Sequence, residues 1–137
     1  MTGGAAAAAI IDRRGRLLLI RENYERRRYS LPGGAIEGDE TPEQACLREV
    51  REETLVDARI DGRIGLYQLA GGWDVHVFAC SIVAGSPGLP DGDEIAEVGW
   101  FEPARIPEPR SNVLHHALAD VLDGVRGVTR RGLEPIN

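Results

Sequence analysis

Apolar runs in the first third of the chain predict two β-strands. Residues 5–12 are mainly alanine and end in two isoleucines, and residues 17–20 are a continuous Leu-Leu-Leu-Ile run. The Asp-Arg-Arg-Gly segment between them has the composition of a turn, so we expect the two strands to form a hairpin. Residues 22–30 are polar and predict a loop.

The second half of the chain predicts three more strands and a closing helix. Residues 58–69 and 75–83 have strand patterns on either side of a Gly-Gly turn, and residues 94–101 return to a strand after a loop at residues 84–93. Ser111 is a candidate cap for the final helix. The predicted inner face of that helix consists of Val113, Leu114, Ala117, Leu118, Val121 and Leu122.

A further helix is predicted over residues 42–54, directly after a Gly-rich turn. Thr41 is a candidate N-cap, Pro42 suits the first helical position, and Gln44 completes a capping box with Thr41. In the preceding turn, Gly33 and Gly34 allow the backbone to approach a ligand closely. The order of strands, helix, strands and helix indicates an α+β fold.

Acidic residues are concentrated around this helix. The chain of 137 residues has a net charge of −6, whereas residues 37–53 carry seven acids against two arginines, a net charge of −5. At about 100° per residue, Glu49, Glu52 and Glu53 project within roughly one third of the helix circumference. A hard divalent cation, Mg²⁺ or Mn²⁺, would relieve their mutual repulsion. A solvated acidic helix face is the alternative interpretation.

Composition indicates an ordinary globular protein. Charged residues make up 28% and hydrophobic residues 42% of the chain, and its N-terminus lacks a secretory pattern. No apolar run reaches the ~18 residues of a membrane span, and mild acidity argues against a nucleic acid polymer as partner. We therefore expect one cytoplasmic domain over residues 1–137, with loosely held termini at about residues 1–4 and 127–137. Cys46 and Cys80 are expected to be buried free thiols.

The acidic helix and the turn before it resemble the signature box of the Nudix hydrolases. Gly34, Glu40 and the run Arg-Glu-Val-Arg-Glu-Glu at residues 48–53 stand at the family's spacing, and Val56 supplies its final aliphatic position. The family has Gly two residues after the last Glu, where this chain has Leu55. A Gly there suits a left-handed helix cap, in which Leu would be strained.

The resemblance implies the Nudix fold, a mixed β-sheet sandwiched between α-helices, and metal-dependent hydrolysis of a nucleoside diphosphate derivative. In such chemistry the cation neutralises phosphoryl oxygens and orients the attacking water. Glu49, Glu52 and Glu53 would hold Mg²⁺ or Mn²⁺, and the resemblance implies the Gly33 carbonyl and Glu94 as further ligands.

Roles for individual residues follow from the same resemblance. The expected catalytic set is Arg48, Glu49, Glu52 and Glu53. Glu49 would take the proton from water, and Arg48 would orient a carboxylate by charge-assisted hydrogen bonds. Glu40 is expected to brace the turn rather than to bind the metal. The expected substrate-binding residues are Arg21, Gly34, Glu97 and Asn112. Glu97 is also the second choice, after Glu94, for the residue that completes the metal-binding or water-activating set.

Substrate motifs of other Nudix subfamilies do not match this chain. A Pro typical of ADP-ribose enzymes is replaced by Gly71-Gly72, and a Tyr typical of dinucleoside polyphosphate hydrolases is replaced by Trp73-Asp74. By elimination we expect a MutT-like nucleoside triphosphate pyrophosphatase acting on oxidised purine nucleotides, with Asn112 reading the base. Hydrolysis of ADP-ribose, a nucleotide sugar or a dinucleotide, non-catalytic nucleotide sensing, and isopentenyl diphosphate isomerisation are the alternatives. Both a monomer and a homodimer are compatible with the sequence.

Overall fold

Two β-sheets and two α-helices make up the fold of the computed structural model, which describes residues 3–136. No helix within that range is long and apolar enough to cross a membrane. In chain order the elements are β1 (Gly3–Ala9), β2 (Leu17–Glu22), β3 (Tyr29–Ser30), β4 (Gly33–Ala35), α1 (Pro42–Thr54), β5 (Asp57–Leu69), β6 (Trp73–Ala84), β7 (Ile95–Phe101), a 3₁₀ turn (Pro103–Arg105), α2 (Asn112–Leu122) and β8 (Val128–Leu133).

The larger sheet is mixed and lies between the two helices. Its five strands run in the order β4-β1-β6-β5-β8, with β1–β6 and β5–β8 parallel and β1–β4 and β5–β6 antiparallel. Residues of α1 belong to the apolar cluster on one face of β1, and residues of α2 belong to the cluster on the other face. The smaller sheet is antiparallel, in the order β3-β2-β7. This arrangement confirms the predicted α+β class.

The predicted hairpin between β1 and β2 is wrong, because the two strands belong to different sheets. They meet at the Ile11–Leu17 bridge beside the turn, while β1 pairs with β6 from Gly3 to Ala9. The alanines of β1 explain the difference. Their small side chains are buried alternately in two separate apolar clusters, so this strand needs cover on both faces. A two-stranded hairpin cannot provide it.

Both of the ends that were expected to be loose contain strand residues. Gly3 and Gly4 lie in β1, and Val128–Leu133 forms β8 alongside β5. The Arg130 guanidinium bonds the buried Asp120 carboxylate of α2, with Nη2 2.8 Å from Oδ1, and so fixes β8 to the helix. The predicted loose residues Met1, Thr2 and Asn137 lie outside the described residues.

Both helices begin where the sequence predicts. Thr41 Oγ1 accepts the Gln44 N–H at 3.1 Å and Gln44 Oε1 accepts the Thr41 N–H at 2.9 Å, which completes the capping box of α1. The Ser111 hydroxyl accepts a backbone N–H of the first turn of α2. The inner face of α2 differs from the prediction, since Asp120 is buried and Leu122 is 46% exposed.

Candidate active site

An acidic cleft of about 520 Å³ opens along α1. Carboxylates of α1 form one wall, and the loop between β6 and β7 forms the other. The lining residues are Glu37, Glu49, Glu52, Glu53, Pro90, Asp91, Gly92, Asp93, Glu94 and Ile95. The structure therefore brings the three predicted box carboxylates and Glu94 to one cavity.

The outer edge of β4 faces this cleft. Gly34 pairs with β1. Because hydrogen-bonded and non-hydrogen-bonded positions alternate along an antiparallel pair, the backbone N–H and C=O groups of Gly33 and Ala35 point away from β1. The Gly33 N–H donates to Glu53 Oε1 at 2.8 Å, and the Ala35 carbonyl accepts Arg48 Nη2 at 3.0 Å. The Gly33 carbonyl, a predicted metal ligand, lies on the same outer edge as its N–H.

Two glycines allow β4 to lie directly between β1 and the carboxylates. A Cβ atom on Gly34 would lie 2.6 Å from Cδ of Glu49, and one on Gly33 would lie 2.4 Å from the Ala6 carbonyl oxygen. Real Cβ atoms do not approach other atoms so closely, so a side chain at either position would displace the Glu49 carboxylate or β1. Gly34 therefore supports the site by packing.

Arg48 binds several carboxylates at once. Its Nε lies 2.6 Å from Glu40 Oε2, and its Nη1 lies 2.8 Å from Glu49 Oε1 and 3.0 Å from Glu52 Oε1. The Glu40 carboxylate, followed by Glu49, holds the pKa of Arg48 above its usual range, opposed by burial. Glu40 also accepts the Glu37 N–H at 2.9 Å, as a brace for the turn would. These contacts place Arg48 where the predicted orienting role requires it.

Glu53 experiences the largest electrostatic strain in the cleft. Its pKa is raised to about 8, chiefly by burial; the hydrogen bond from the Gly33 N–H lowers it, and the charges of Glu49, Glu22 and Glu94 add to the increase. A carboxylate crowded by like charges gains most from a nearby cation. The oxygen donors around it, carboxylates and a backbone carbonyl, are those that a hard divalent cation prefers.

The carboxylates share a cleft without forming a ready-made ligand shell. Within residues 3–136, no group of three His, Cys, Asp or Glu side chains converges closely enough to hold an ion. Glu49 and Glu52 turn toward Arg48, and Glu53 turns toward the Gly33 N–H. The residues fit a divalent cation by their chemistry, and rotation of these side chains would complete the coordination.

A second cleft, of about 230 Å³, is lined in part by Gly33 and Gly34. Its rim carries two aromatic side chains, Tyr24 and Trp73, which are 48% and 42% exposed. Asn112, the predicted base-reading residue, also lines it. The Asn112 Oδ1 accepts the Ile136 N–H at 2.9 Å, which fixes the orientation of the amide. This cleft is therefore a candidate nucleoside site next to the acidic one.

Glu22 is a site residue that sequence reasoning missed. It is 8% exposed, accepts Arg28 Nε at 2.9 Å and the Tyr24 hydroxyl at 3.2 Å, and lines the second cleft. Its charge also raises the pKa of Glu53. We assigned it to a polar loop, but it is the last residue of β2. An acid two residues after a buried Leu-Leu-Leu-Ile run was the signal that could have found it.

Arg21 and Glu97, two predicted substrate-binding residues, lie outside both clefts formed by the described residues. They face each other across the β2–β7 pair. The Arg21 Nε donates to the Arg27 carbonyl at 3.0 Å, and its guanidinium lies 5.0 Å from the centroid of the Tyr29 ring. The structure brings Arg28, rather than Arg21, to the candidate site.

Comparison with known proteins gives a consistent result. The NUDIX domain family matches residues 1–121. The chain is 35% identical over 121 residues to a MutT-like protein of Streptomyces ambofaciens, covering 88% of this chain and 77% of that protein. It is 30% identical over 110 residues to an ADP-ribose pyrophosphatase of Methanocaldococcus jannaschii, covering 75% and 64% of the two chains. The crystal structure of the MutT NUDIX hydrolase from Burkholderia pseudomallei superposes with a TM-score of 0.79 at 27% identity, covering 88% of this chain and 98% of that one.

Proposed function

The chain belongs to the Nudix family and is a pyrophosphohydrolase, and we propose that it is MutT-like and acts on nucleoside triphosphates, with release of pyrophosphate. The observation that carries this proposal is that Gly33 and Gly34, which line the second cleft, lie directly against Glu53 and Glu49 of the acidic cleft. One cleft is acidic and the other is lined by aromatic side chains. A triphosphate and its nucleoside need these two environments side by side.

The acidic cleft is the proposed site of Mg²⁺ or Mn²⁺. When bound, such a cation would neutralise phosphoryl oxygens and orient the attacking water. Glu49, Glu52 and Glu53 would hold it, together with the Gly33 carbonyl and with Glu94 from the opposite wall. These are the oxygen ligands that such cations take in proteins.

Glu49 is the proposed acceptor of the water proton. Burial raises the pKa of its carboxyl, while the hydrogen bond from Arg48 lowers it. A carboxylate with a raised pKa is a better general base near neutral pH. Arg48 holds Glu49 and Glu52 on the same side of α1 by hydrogen bonds to both.

The second cleft is the proposed nucleoside site. Tyr24 and Trp73 present aromatic surfaces on which a base can stack, and the Asn112 amide nitrogen can donate to a base because its oxygen already accepts the Ile136 N–H. Arg28, held in this cleft by Glu22, is the proposed contact for the substrate phosphates. A cleft of about 230 Å³ lies below the usual ~300–1,000 Å³ of ligand pockets, which favours one nucleoside over two.

A substrate panel with Mg²⁺ tests this proposal. Purified protein is incubated with ordinary and oxidised nucleoside triphosphates, ADP-ribose, nucleotide sugars and dinucleoside polyphosphates, and pyrophosphate, phosphate and nucleotide products are measured. We expect the highest kcat/KM for a nucleoside triphosphate, with pyrophosphate and a nucleoside monophosphate as products. Preference for ADP-ribose, as in the name of the Methanocaldococcus relative, would contradict the proposed substrate, and tight nucleotide binding without turnover would favour sensing.

A further inference from the structure

Leu55 ends α1 in a backbone conformation that an L-residue with a side chain disfavours. Its φ is 68° and its ψ is 13°, and its N–H caps the helix by donating to the Arg51 carbonyl. The Cβ atom crowds the backbone in this left-handed region, and glycine avoids the strain. The Leu55 side chain is 48% exposed, so burial in the core does not explain its presence.

The Leu55 side chain lies beside the loop of residues 85–94, which we call the acidic loop. Leu55 Cδ1 lies 3.5 Å from the position that a Cβ on Gly88 would occupy, and the Gly88 N–H donates to the Thr54 carbonyl at 3.0 Å. At Gly85, a Cβ would lie 3.1 Å from the Leu55 carbonyl oxygen. The acidic loop therefore packs directly on the end of α1, and Gly85 permits that close approach.

The other end of the acidic loop is tied to the turn after β2. The Asn23 N–H donates to the Glu94 carbonyl at 2.9 Å, and Asn23 Nδ2 donates to the Asp93 carbonyl at 2.9 Å. Asp91 lies between the two attachments, Asp93 and Glu94 form the second one, and all three line the acidic cleft opposite the carboxylates of α1. Loss of the attachment at Gly88 would release the stretch before Asp93 from the end of α1.

On the basis of the hydrolase function above, we propose that Leu55 is a positioning residue for Glu94. Its side chain holds the acidic loop against the end of α1 and so keeps the Glu94 carboxylate across the cleft from Glu53. Glycine at this position would relieve the backbone strain and also remove the contact with Gly88. The strained backbone of Leu55 thus lowers stability at the helix end, while its side chain fixes the wall of the cleft that lies opposite α1.

Four substitutions separate this role from a structural one. Leu55→Gly removes both the strain and the contact, Leu55→Ala removes the contact alone, and Leu55→Met keeps a side chain long enough to reach Gly88. Leu122→Ala is the matched control, because Leu122 is 46% exposed at the end of α2 and lies outside both clefts formed by residues 3–136. For each variant, kcat, KM, the Mg²⁺ concentration at half-maximal rate and the melting temperature are measured.

We expect Leu55→Gly and Leu55→Ala to lower kcat on the order of tenfold, because misplacing a group at an active site by ~1 Å can cost up to about a hundredfold. Both should need more Mg²⁺ for half-maximal rate, and Leu55→Gly should melt at or above the wild-type temperature. Leu55→Met and Leu122→Ala should keep wild-type kinetics. Wild-type kcat and Mg²⁺ dependence in Leu55→Gly and Leu55→Ala would overturn the proposal.

A double-mutant cycle shows whether Leu55 acts through Glu94. Glu94→Gln should lower kcat by itself, and Leu55→Gly should add little in the Glu94→Gln background. Full additivity, or no effect of Glu94→Gln alone, would contradict the proposed route. An inactive wild type would overturn the hydrolase function and this role together. If the wild type is active and Glu53→Gln is inactive, the hydrolase function stands. Unchanged kinetics in Leu55→Gly would then overturn the role of Leu55 alone.

Discussion

The aromatic-lined cleft is lined by Gly33 and Gly34, which lie against Glu53 and Glu49 of the acidic cleft, yet the two clefts have opposite electrostatic character. The acidic cleft crowds carboxylates against Glu53 and raises its pKa to about 8. In the second cleft, the Glu22 carboxylate is paired with Arg28 at 2.9 Å, and the exposed rim is aromatic. Repulsion among the carboxylates of the acidic cleft lowers stability until a cation binds, whereas the charges in the second cleft nearly cancel. Substitutions in the two clefts should therefore have different signatures.

Metal removal should produce the largest effect and act through the acidic cleft alone. We expect excess EDTA to abolish turnover, because the crowded carboxylates cannot by themselves stabilise charge on the phosphoryl oxygens. Mg²⁺ or Mn²⁺ should restore the rate and raise the melting temperature, since a ligand that binds the folded state stabilises it. Full turnover in EDTA would contradict metal-dependent catalysis in the acidic cleft, which is what distinguishes it functionally from the second cleft.

Trp73→Ala should weaken nucleotide binding through the second cleft. Base–aromatic stacking is worth ~1–3 kcal/mol, so we expect KM to rise on the order of tenfold while kcat and the Mg²⁺ requirement stay unchanged. Trp100→Phe is the matched control, because Trp100 lines neither cleft formed by the described residues. A fall in kcat at unchanged KM would indicate that Trp73 serves the reaction and not the base.

The pH dependence of stability should show the strain of the acidic cleft directly. The Glu53 pKa rises from 4.5 to about 8 on folding, so the folded state binds this proton more tightly than the unfolded state. Its contribution to the free energy of unfolding is fully present below pH 4.5 and is lost as pH rises through about 8. In EDTA, the melting temperature of the wild type should fall more steeply over this window than that of Glu53→Gln. Parallel curves would contradict the raised pKa.

The two clefts also differ in how far sequence could predict them. Three carboxylates of the acidic cleft, those of Glu49, Glu52 and Glu53, lie on one helix, where a fixed rotation per residue determines which side chains share a face. The start of that helix could be predicted from local chemistry alone, namely from Thr41, Pro42 and Gln44. The left-handed backbone at Leu55 followed instead from the family resemblance, because the family's Gly at that position suits a left-handed cap.

The second cleft could not be assembled from sequence, because its parts come from distant segments. Tyr24, Trp73 and Asn112 become neighbours only through the order of strands in the two sheets. That order depends on β1, whose alanines show weak strand preference and gave no indication of their partners. The predicted hairpin failed for this reason. Glu22 was missed because its hydrogen bond with Arg28 depends on β2 extending one residue beyond Arg21.

The most direct test of the acidic cleft is Glu53→Gln, measured for rate and for stability in the same preparation. The substitution keeps the shape of the side chain and removes one negative charge from the crowded site. We expect turnover with Mg²⁺ to fall by orders of magnitude, because a positioned cation supplies several kcal/mol and each ~1.4 kcal/mol is tenfold. In EDTA at pH 8, the variant should melt at or above the wild-type temperature, since like-charge repulsion is relieved. Glu43→Gln, on the exposed first turn of the same helix, should match the wild type in both measurements. Wild-type turnover in Glu53→Gln would contradict the assignment of this cleft as the catalytic site.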